Sequence, residues 1–262
     1  MWNDARLMNG LSLALLVIAL LGLCSAGASW AMRQPWFALR AIVVESVDDG
    51  PLLHVNAPQL RANAVPRLRG TLFTIDLAEA RRAFESAPWV RRAVVSRQFP
   101  DRLVVEIEEH VPLGVWSDGR GVNTHGELFA VNTAELETSG DLPNLAGPPG
   151  TEAIVTQRWR DFGAWFAPTG MTPESVELSS RYAWRVTLMN EAREKLVVDL
   201  GREQDARTLE QRIDRFVAHV DAVKARWGGT LKRADLRYPN GFAVQVAGVK
   251  FLQPKESNQQ GR

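Results

Sequence analysis

Residues 7–32 carry no charged side chain, and this stretch limits what the chain can fold into more than any other feature. An α-helix rises about 1.5 Å per residue, so about 20 apolar residues cross the roughly 30 Å hydrocarbon core of a bilayer. Residues 11–32 supply that length, and we predict a retained transmembrane helix there behind a short tail over residues 1–10. One alternative is a cleaved signal peptide, because residues 26–28 (Ala-Gly-Ala) fit a small-x-small cleavage site, and the other is a buried helix.

The charges that flank this stretch do not determine which side of the membrane the body occupies. Arg6 and the amino terminus lie before the span, whereas Arg33 and Arg40 follow it, so the positive-inside rule gives no preference. A large domain can also cross a membrane regardless of the flanking charges. Charge alone therefore leaves the orientation open.

The rest of the composition excludes several classes of protein. With 31 Lys and Arg against 30 Asp and Glu, the net charge of +1 lacks the basic footprint of a general nucleic-acid binder. Cys24 is the single cysteine, so neither an intrachain disulfide nor a cysteine-built metal site can form. What remains is a globular body behind an apolar N-terminal segment.

Residues 37–111 predict a small domain with the order β-α-α-β-β. β-branched and apolar residues favour a strand over 37–48, and two prolines bracket a short helix over 58–65. Asp76 is expected to begin a second helix as its N-cap. A hairpin follows, with strands over 90–99 and 102–110.

Residues 112–252 predict a larger antiparallel β domain with flanking helices, and a disordered tail over 253–262 follows it. Helices are expected over 154–166 and 205–227, the second from an apolar stripe of helical period. The fold class is therefore α+β. Short strands are predicted at 114–117, 122–123 and 127–131, a loop at 142–150, a meander at 176–179, 183–189 and 195–200, and a last hairpin at 231–238 and 242–251.

Motifs typical of enzymes are absent, since the sequence has no nucleophile elbow, zinc-protease, phosphate-loop or dinucleotide signature. Glu106, Glu108 and His110 would share one face of a strand, which suggests a metal site on paper. We interpret this face as solvated side chains opposite an apolar face. The sequence therefore predicts no catalytic residue, no metal site and no cofactor.

An anchored protein of this kind is expected to bind other proteins. Its last hairpin follows a long helix and precedes a polar tail, so the final strand either lies at a sheet edge or is internal or capped. An edge strand would offer unpaired N–H and C=O groups to a strand from a partner.

Specific strings carry a family resemblance. Residues 87–112 (Ala-Pro-Trp-Val-Arg-Arg through Glu-Glu-His-Val-Pro) and 114–116 (Gly-Val-Trp) resemble the POTRA domain of the FtsQ family of bacterial cell-division proteins. The matches run in order over residues 36–246, behind an anchor in the expected place. Strings similar to the second, β domain of that family occur at 123–129, 142–148, 180–184, 200–202, 212–216 and 235–244.

The resemblance implies a bitopic inner-membrane protein with a cytoplasmic N-terminus and a periplasmic body at the division septum. It also implies a non-enzymatic scaffold that binds FtsB and FtsL, helps recruit later division proteins, and takes neither nucleic acid nor a small-molecule substrate. In that family FtsB pairs as a strand with the end of the β domain. Transferred to this sequence, the partner-binding residues are Arg181, Arg237, Tyr238, Asn240, Gly241, Phe242, Ala243, Val244, Gln245 and Val246.

One position departs from the family pattern, because a Trp that follows this turn in some members has no counterpart here. Gln245 and Val246 occupy that neighbourhood, so side-chain contacts are expected to differ while backbone pairing persists. Two other functions stay open. One is a POTRA protein of a secretion or assembly system, and the other is an anchored periplasmic enzyme that uses the Glu106–His110 face.

Overall fold

The structure, a computed structural model, describes residues 5–32, 34, 37–48, 50–205 and 207–248. Its first element is helix α1, Ala5–Met32. The part from Met8 to Met32 is long and apolar enough to cross a membrane, and none of it is buried against the protein. Among the described residues it is the one helix that meets these criteria. The uncharged stretch is therefore helical over its whole described length.

The chain divides into two compact units, Met1–His110 and Val111–Arg262. In the first unit a three-stranded sheet has the order β1-β3-β2, with β1 parallel and β2 antiparallel to β3. The predicted β-α-α-β-β order is confirmed, although the first strand is shorter than 37–48. After α1 the elements are β1 Ala41–Ser46, α2 Ala57–Asn63, α3 Leu77–Glu85, β2 Val90–Gln98 and β3 Arg102–Glu109.

Asp76 begins α3 as predicted, because its Oδ1 accepts hydrogen bonds from the amides of Ala78 and Glu79 at 2.8 and 3.1 Å. The hydrogen bonds from Glu79 and Ala78 lower the pKa of the Asp76 carboxyl. Phe84 on the buried face of α3 and Ile107 on the buried face of β3 are both fully enclosed. Alternation of apolar and polar residues thus fixes which side of the small sheet the helices cover.

The second unit contains a nine-stranded sheet in the order β12-β11-β10-β9-β8-β7-β4-β5-β6. Its strands are β4 Pro112–Trp116, β5 Gly121–Asn123, β6 Leu128–Phe129, β7 Asn144–Ala146, β8 Thr172–Leu178, β9 Ala183–Met189, β10 Lys195–Arg202, β11 Leu231–Asp235 and β12 Ala243–Val246. Its helices are α4 Thr133–Glu137, α5 Glu152–Phe166 and α6 Thr208–Trp227.

This sheet is mixed, which corrects the expectation of a wholly antiparallel domain. β7 lies inside the segment predicted as a loop over 142–150, and it pairs in parallel with both β4 and β8. β11 is parallel to β10, because α6 crosses between them and returns the chain in the same direction. The remaining pairings between described strands are antiparallel, including the predicted meander of β8, β9 and β10.

The helices α5 and α6 pack on one face of this sheet, and the other face is polar. Phe162 of α5 and Phe216 of α6 are fully buried in the shared core. On the sheet side Val186 and Val198 point into the same core, so the alternate residues of β9 and β10 face away from the helices. Gly228 ends α6 in the left-handed conformation that a helix C-terminus favours.

Candidate partner-binding edge

β12 is the terminal strand of the nine-stranded sheet, and among the described residues its pairing partner is β11 alone. The alternative that this strand lies inside the sheet does not hold for the described part of the chain. β12 spans four residues, whereas the prediction ran over 242–251. Residues 249–262, which include the predicted disordered tail, lie outside the described residues.

The direction of the backbone groups in β12 follows from two hydrogen bonds at its margins. The amide of Ala247 donates to Thr230 O, and the amide of Leu236 donates to Asp199 O, each at 2.9 Å. Backbone groups alternate in direction along a strand, and Ala243 lies opposite Asp235 in the register. The amides of Ala243 and Gln245 therefore face β11, and those of Val244 and Val246 face the open side.

The side chains on one face of β12 pack against the core of the second unit. Phe242, Val244 and Val246 are half-buried against the core of the second unit, whereas Ala243 and Gln245 are exposed. The ring of Phe242 meets that of Phe216 edge to face at a centroid distance of 5.3 Å. The strand is thus fixed by β11 and by the core while its second edge stays open.

The turn before β12 carries a forked ion pair. Arg237 donates from Nε and Nη2 to the two carboxylate oxygens of Asp235, at 2.8 and 2.6 Å. The hydrogen bonds from Arg237 lower the pKa of Asp235, and the same bonds raise the pKa of Arg237. Arg237 remains largely exposed, so its other N–H groups still face solvent. Tyr238, Asn240 and Gly241 follow it, with Tyr238 exposed.

Helix α6 and strand β10 support this turn. Arg215 of α6 donates to Tyr238 O at 3.3 Å. Arg212 donates hydrogen bonds to Leu200 O at 2.7 Å and to Arg202 O at 2.9 Å. These two carbonyl groups lie on either side of Gly201, which has a φ of +77°. In the sequence, residues 200–202 and 212–216 contributed only to the family resemblance. Gly201, Arg212 and Arg215 are the residues in these strings that could have indicated support for the turn.

Arg181 lies in the turn between β8 and β9 and is exposed. Its neighbours Ser179 and Ala183 line a cavity of about 140 Å³, and Arg237 lines the same cavity. The fold therefore brings the turn that carries Arg181 beside Arg237, although the two residues are 56 apart in the chain (237 − 181). The other predicted residues lie close together because they are neighbours in the sequence, between 237 and 246. The proximity of the Arg181 turn to Arg237 is what the tertiary structure adds.

The polar face of the sheet carries a buried carboxylate that sequence reasoning missed. Asp199 of β10 accepts hydrogen bonds from Arg185 of β9 and Arg233 of β11, both at 2.8 Å. Burial acts to raise the pKa of Asp199, but the hydrogen bonds from Arg185 and Arg233 outweigh it and lower the pKa. This carboxylate ties three neighbouring strands together next to the β12 edge.

The acidic cluster of the first unit makes contacts within that unit. Glu108 pairs with Arg91 at 2.5 Å. Glu109 accepts hydrogen bonds from three consecutive amides, those of Leu53, His54 and Val55. Over the described ranges no three His, Cys, Asp or Glu side chains are grouped so that they could hold a metal ion.

Two family models match the chain in the order of its two units. Residues 38–110 match the FtsQ-type POTRA domain, and residues 114–237 match the C-terminal domain of cell division protein FtsQ/DivIB. The second match ends at Arg237, so β12 lies beyond it.

Similar proteins cover almost the whole chain. The chain is 48% identical over 252 residues to "Cell division protein FtsQ" of Burkholderia pseudomallei, which covers 96% of this chain and 97% of that protein. It is 42% identical to the protein of that name from Bordetella pertussis, over 94% of this chain and 93% of the relative. A third, from Neisseria gonorrhoeae, is 28% identical over 99% of this chain and its own full length. The chain therefore belongs to the FtsQ family of cell-division proteins.

Proposed function

We propose that this cell-division protein is a single-pass inner-membrane scaffold without catalytic activity, which captures the FtsB–FtsL pair by adding a partner strand to β12. In this arrangement α1 is the anchor, the N-terminus is cytoplasmic and the two units are periplasmic. Capture at the septum then helps to recruit later division proteins. The alternative of a secretion or assembly protein is disfavoured, since both domain models are of FtsQ type.

The observation that carries this proposal is the open edge of β12. Main-chain groups of Val244 and Val246 point away from β11, and a partner strand can pair with them without disturbing the existing sheet. The half-buried side chains on the other face keep the strand in place before a partner arrives. Less of the binding free energy is then lost in ordering the receptor.

The turn supplies the side-chain contacts. Tyr238 is an exposed aromatic residue at the end of the edge, and such residues contribute strongly when a partner covers them. Arg181 and Arg237 add positive charge at the same end, so we infer that acidic residues of the partner lie there. Because Arg237 is already paired with Asp235, the partner must use its remaining N–H groups or displace Asp235.

The test is a proline at Val244, whose amide faces the open side. Val244→Pro removes that donor and places the ring where a partner strand would lie, while the amides that pair with β11 remain. One net hydrogen bond contributes about 1 kcal/mol, so affinity for the purified FtsB–FtsL pair should fall by at least about tenfold once the steric effect is added.

Val244→Ala is the matched control, since it loses the same core contact but keeps the amide. It should bind within about threefold of the parent, a difference below about 1 kcal/mol. Circular dichroism and thermal unfolding of both variants check that the body is folded. Unchanged binding by a folded Val244→Pro variant would exclude strand pairing at this edge.

A further inference from the structure

We propose that the end of the first unit nearest α1 carries a lipid-binding collar, made of Arg40, Phe73, Phe99 and Arg102. The collar contacts the anionic headgroups of the bilayer that holds the anchor. This inference rests on the proposed membrane anchor and extends it from the helix to the folded domain.

Chain connectivity places the start of this domain close to the membrane. α1 ends at Met32, and Phe37 follows five residues later, which at about 3.6 Å per residue is at most about 18 Å away. The amide of Leu72 donates to Phe37 O at 2.9 Å. Thr71 Oγ1 also donates to Met32 O at 2.7 Å, so the loop that carries Phe73 lies beside the end of α1.

The tip of the β2–β3 hairpin lies at the same end. The amide of Arg40, one residue before β1, donates to Asp101 O in that tip at 2.9 Å. β1 and β3 are parallel and in register from Ala41 and Arg102 onward, so both strands begin on the side where the chain leaves α1. Phe99 and Arg102 flank this tip.

The exposed side chains have the chemistry of a membrane interface. Phe99 is 71% exposed and Phe73 is 41% exposed. Apolar side chains next to arginines at the end of a span favour insertion at the headgroup level. A single exposed Phe needs no explanation, but two beside an anchor and two arginines form a surface that fits lipid.

The charge at this end favours anionic headgroups. Arg40 and Arg102 share one carboxylate, Asp101, each at 3.9 Å, and both arginine side chains are more than half exposed. Asp76, three residues after Phe73, is engaged by the amides at the start of α3. Positive charge is therefore left to interact with phosphate groups.

The experiment measures the depth of the hairpin tip in a bilayer. The full-length chain, with Cys24→Ser, is spin-labelled at Gln98→Cys and reconstituted in nanodiscs of phosphatidylethanolamine and phosphatidylglycerol. Power-saturation electron paramagnetic resonance then compares accessibility to oxygen and to a water-soluble nickel chelate. We expect an oxygen-to-nickel ratio several-fold above that of a label in water.

A label at Leu53→Cys is the matched control. Leu53 is 78% exposed and also apolar, but its amide bonds to Glu109 at the opposite end of β3. Seven residues separate Arg102 from Glu109, so this label lies about 23 Å further along the strand direction. Its ratio should equal that of a label in water in every lipid mixture.

Two changes should remove the signal at residue 98. Phe99→Ser combined with Arg102→Ser should lower the ratio several-fold, to the level of the Leu53 label. Phosphatidylcholine nanodiscs should lower it in part, since the aromatic contact remains. If the oxygen-to-nickel ratio at residue 98 in anionic nanodiscs equals that at residue 53, the collar proposal is excluded but the membrane anchor is not. Extraction of the chain from membranes by alkaline carbonate would instead overturn the anchor itself.

Discussion

Gly201 of β10 leaves room for the side chain of Arg237. A Cβ at Gly201 would lie 2.9 Å from Arg237 Cγ and 3.4 Å from its Cδ. At 2.9 Å two nonbonded carbon atoms overlap, so a side chain at position 201 would displace Arg237. The aliphatic part of Arg237 therefore crosses β10 where that strand has no side chain. From there its guanidinium reaches Asp235 and the cavity beside the β8–β9 turn.

Gly201→Ala should displace Arg237 and weaken capture of the FtsB–FtsL pair. The added methyl group forces the Arg237 stem off β10, so we expect affinity to fall by about three- to tenfold. Calorimetric titration against the purified pair measures it. In an Arg237→Ala background the same change should have no further effect on affinity, because the group through which it acts is gone.

Gly170→Ala is the control for backbone strain. Gly170 has a similar φ of +69°, but no atom lies within 4 Å of the position its Cβ would take. Both substitutions should lower the free energy of unfolding by about 1 kcal/mol, since alanine tolerates this conformation poorly. Equal binding by the two variants would mean that Gly201 has no part in positioning Arg237.

Phe242→Ala should loosen β12 while the rest of the second unit stays folded. The edge-to-face pair with Phe216 and part of an apolar contact are lost, so the free energy of unfolding should fall by about 1–3 kcal/mol. Hydrogen exchange at the amides of Ala243 and Gln245 should accelerate, since they are the ones that face β11. Phe242→Leu should restore most of the protection. Unaltered exchange in Phe242→Ala would show that β11 alone holds the strand.

Asp199→Asn should lower stability and flatten its dependence on pH. The folded-state pKa of Asp199 lies below its ordinary value, so its contribution is present above about pH 4 and is lost as the pH falls through the folded-state pKa. At pH 7 we expect a loss of about 2–3 kcal/mol, because Arg185 and Arg233 lose a shared partner. Urea unfolding between pH 7 and pH 3 measures both effects.

The matched control is Asp141→Asn. Asp141 also pairs with an arginine, Arg193 at 3.2 Å, but its side chain is 89% exposed. Exposed pairs contribute little, so stability should change by less than about 0.5 kcal/mol. A comparable loss in both variants would contradict a structural role for the buried carboxylate.

Glu109→Ala should destabilise the first unit, whereas Glu106→Ala should not. Glu109 accepts three backbone hydrogen bonds from residues 53–55, and its loss leaves those amides without their acceptor. We expect the free energy of unfolding to fall by about 2 kcal/mol and hydrogen exchange at residues 53–55 to become faster. Glu106 is exposed on the same strand, so its removal should cost almost nothing. An enzyme that used the face of Glu106, Glu108 and His110 would instead lose function with Glu106→Ala.

Local patterns predicted most of the individual elements. The Asp76 cap, the β2–β3 hairpin and the stripe on α6 depend on neighbouring residues, and each is present. β7 was missed because three residues between two prolines carry no periodic signal of their own. Residues 144–146 form a strand because β4 and β8 pair with them from both sides. These pairings are long-range contacts, which local sequence patterns do not predict.

The sequence predicted the last hairpin from the order of its elements, but it left open whether the final strand lies at the sheet edge. The turn residues followed from the resemblance, and their role in binding a partner stays a prediction. The approach of residues 179–183 to Arg237 required the folded sheet, as did the link between Asp199 and two arginines on other strands. Long-range contacts of this kind leave no periodicity in the sequence.

The open edge of β12 could also pair with the β12 of another molecule. Two copies related by a two-fold axis would satisfy each other's outward amides, and each edge would then be closed to the proposed partner strand. With four residues such a self-pairing is short and weak, but confinement to a membrane raises the local concentration at which it forms. Under the proposed function, overproduction of the chain without its partner should therefore drive reversible dimers in which the β12 edge is covered.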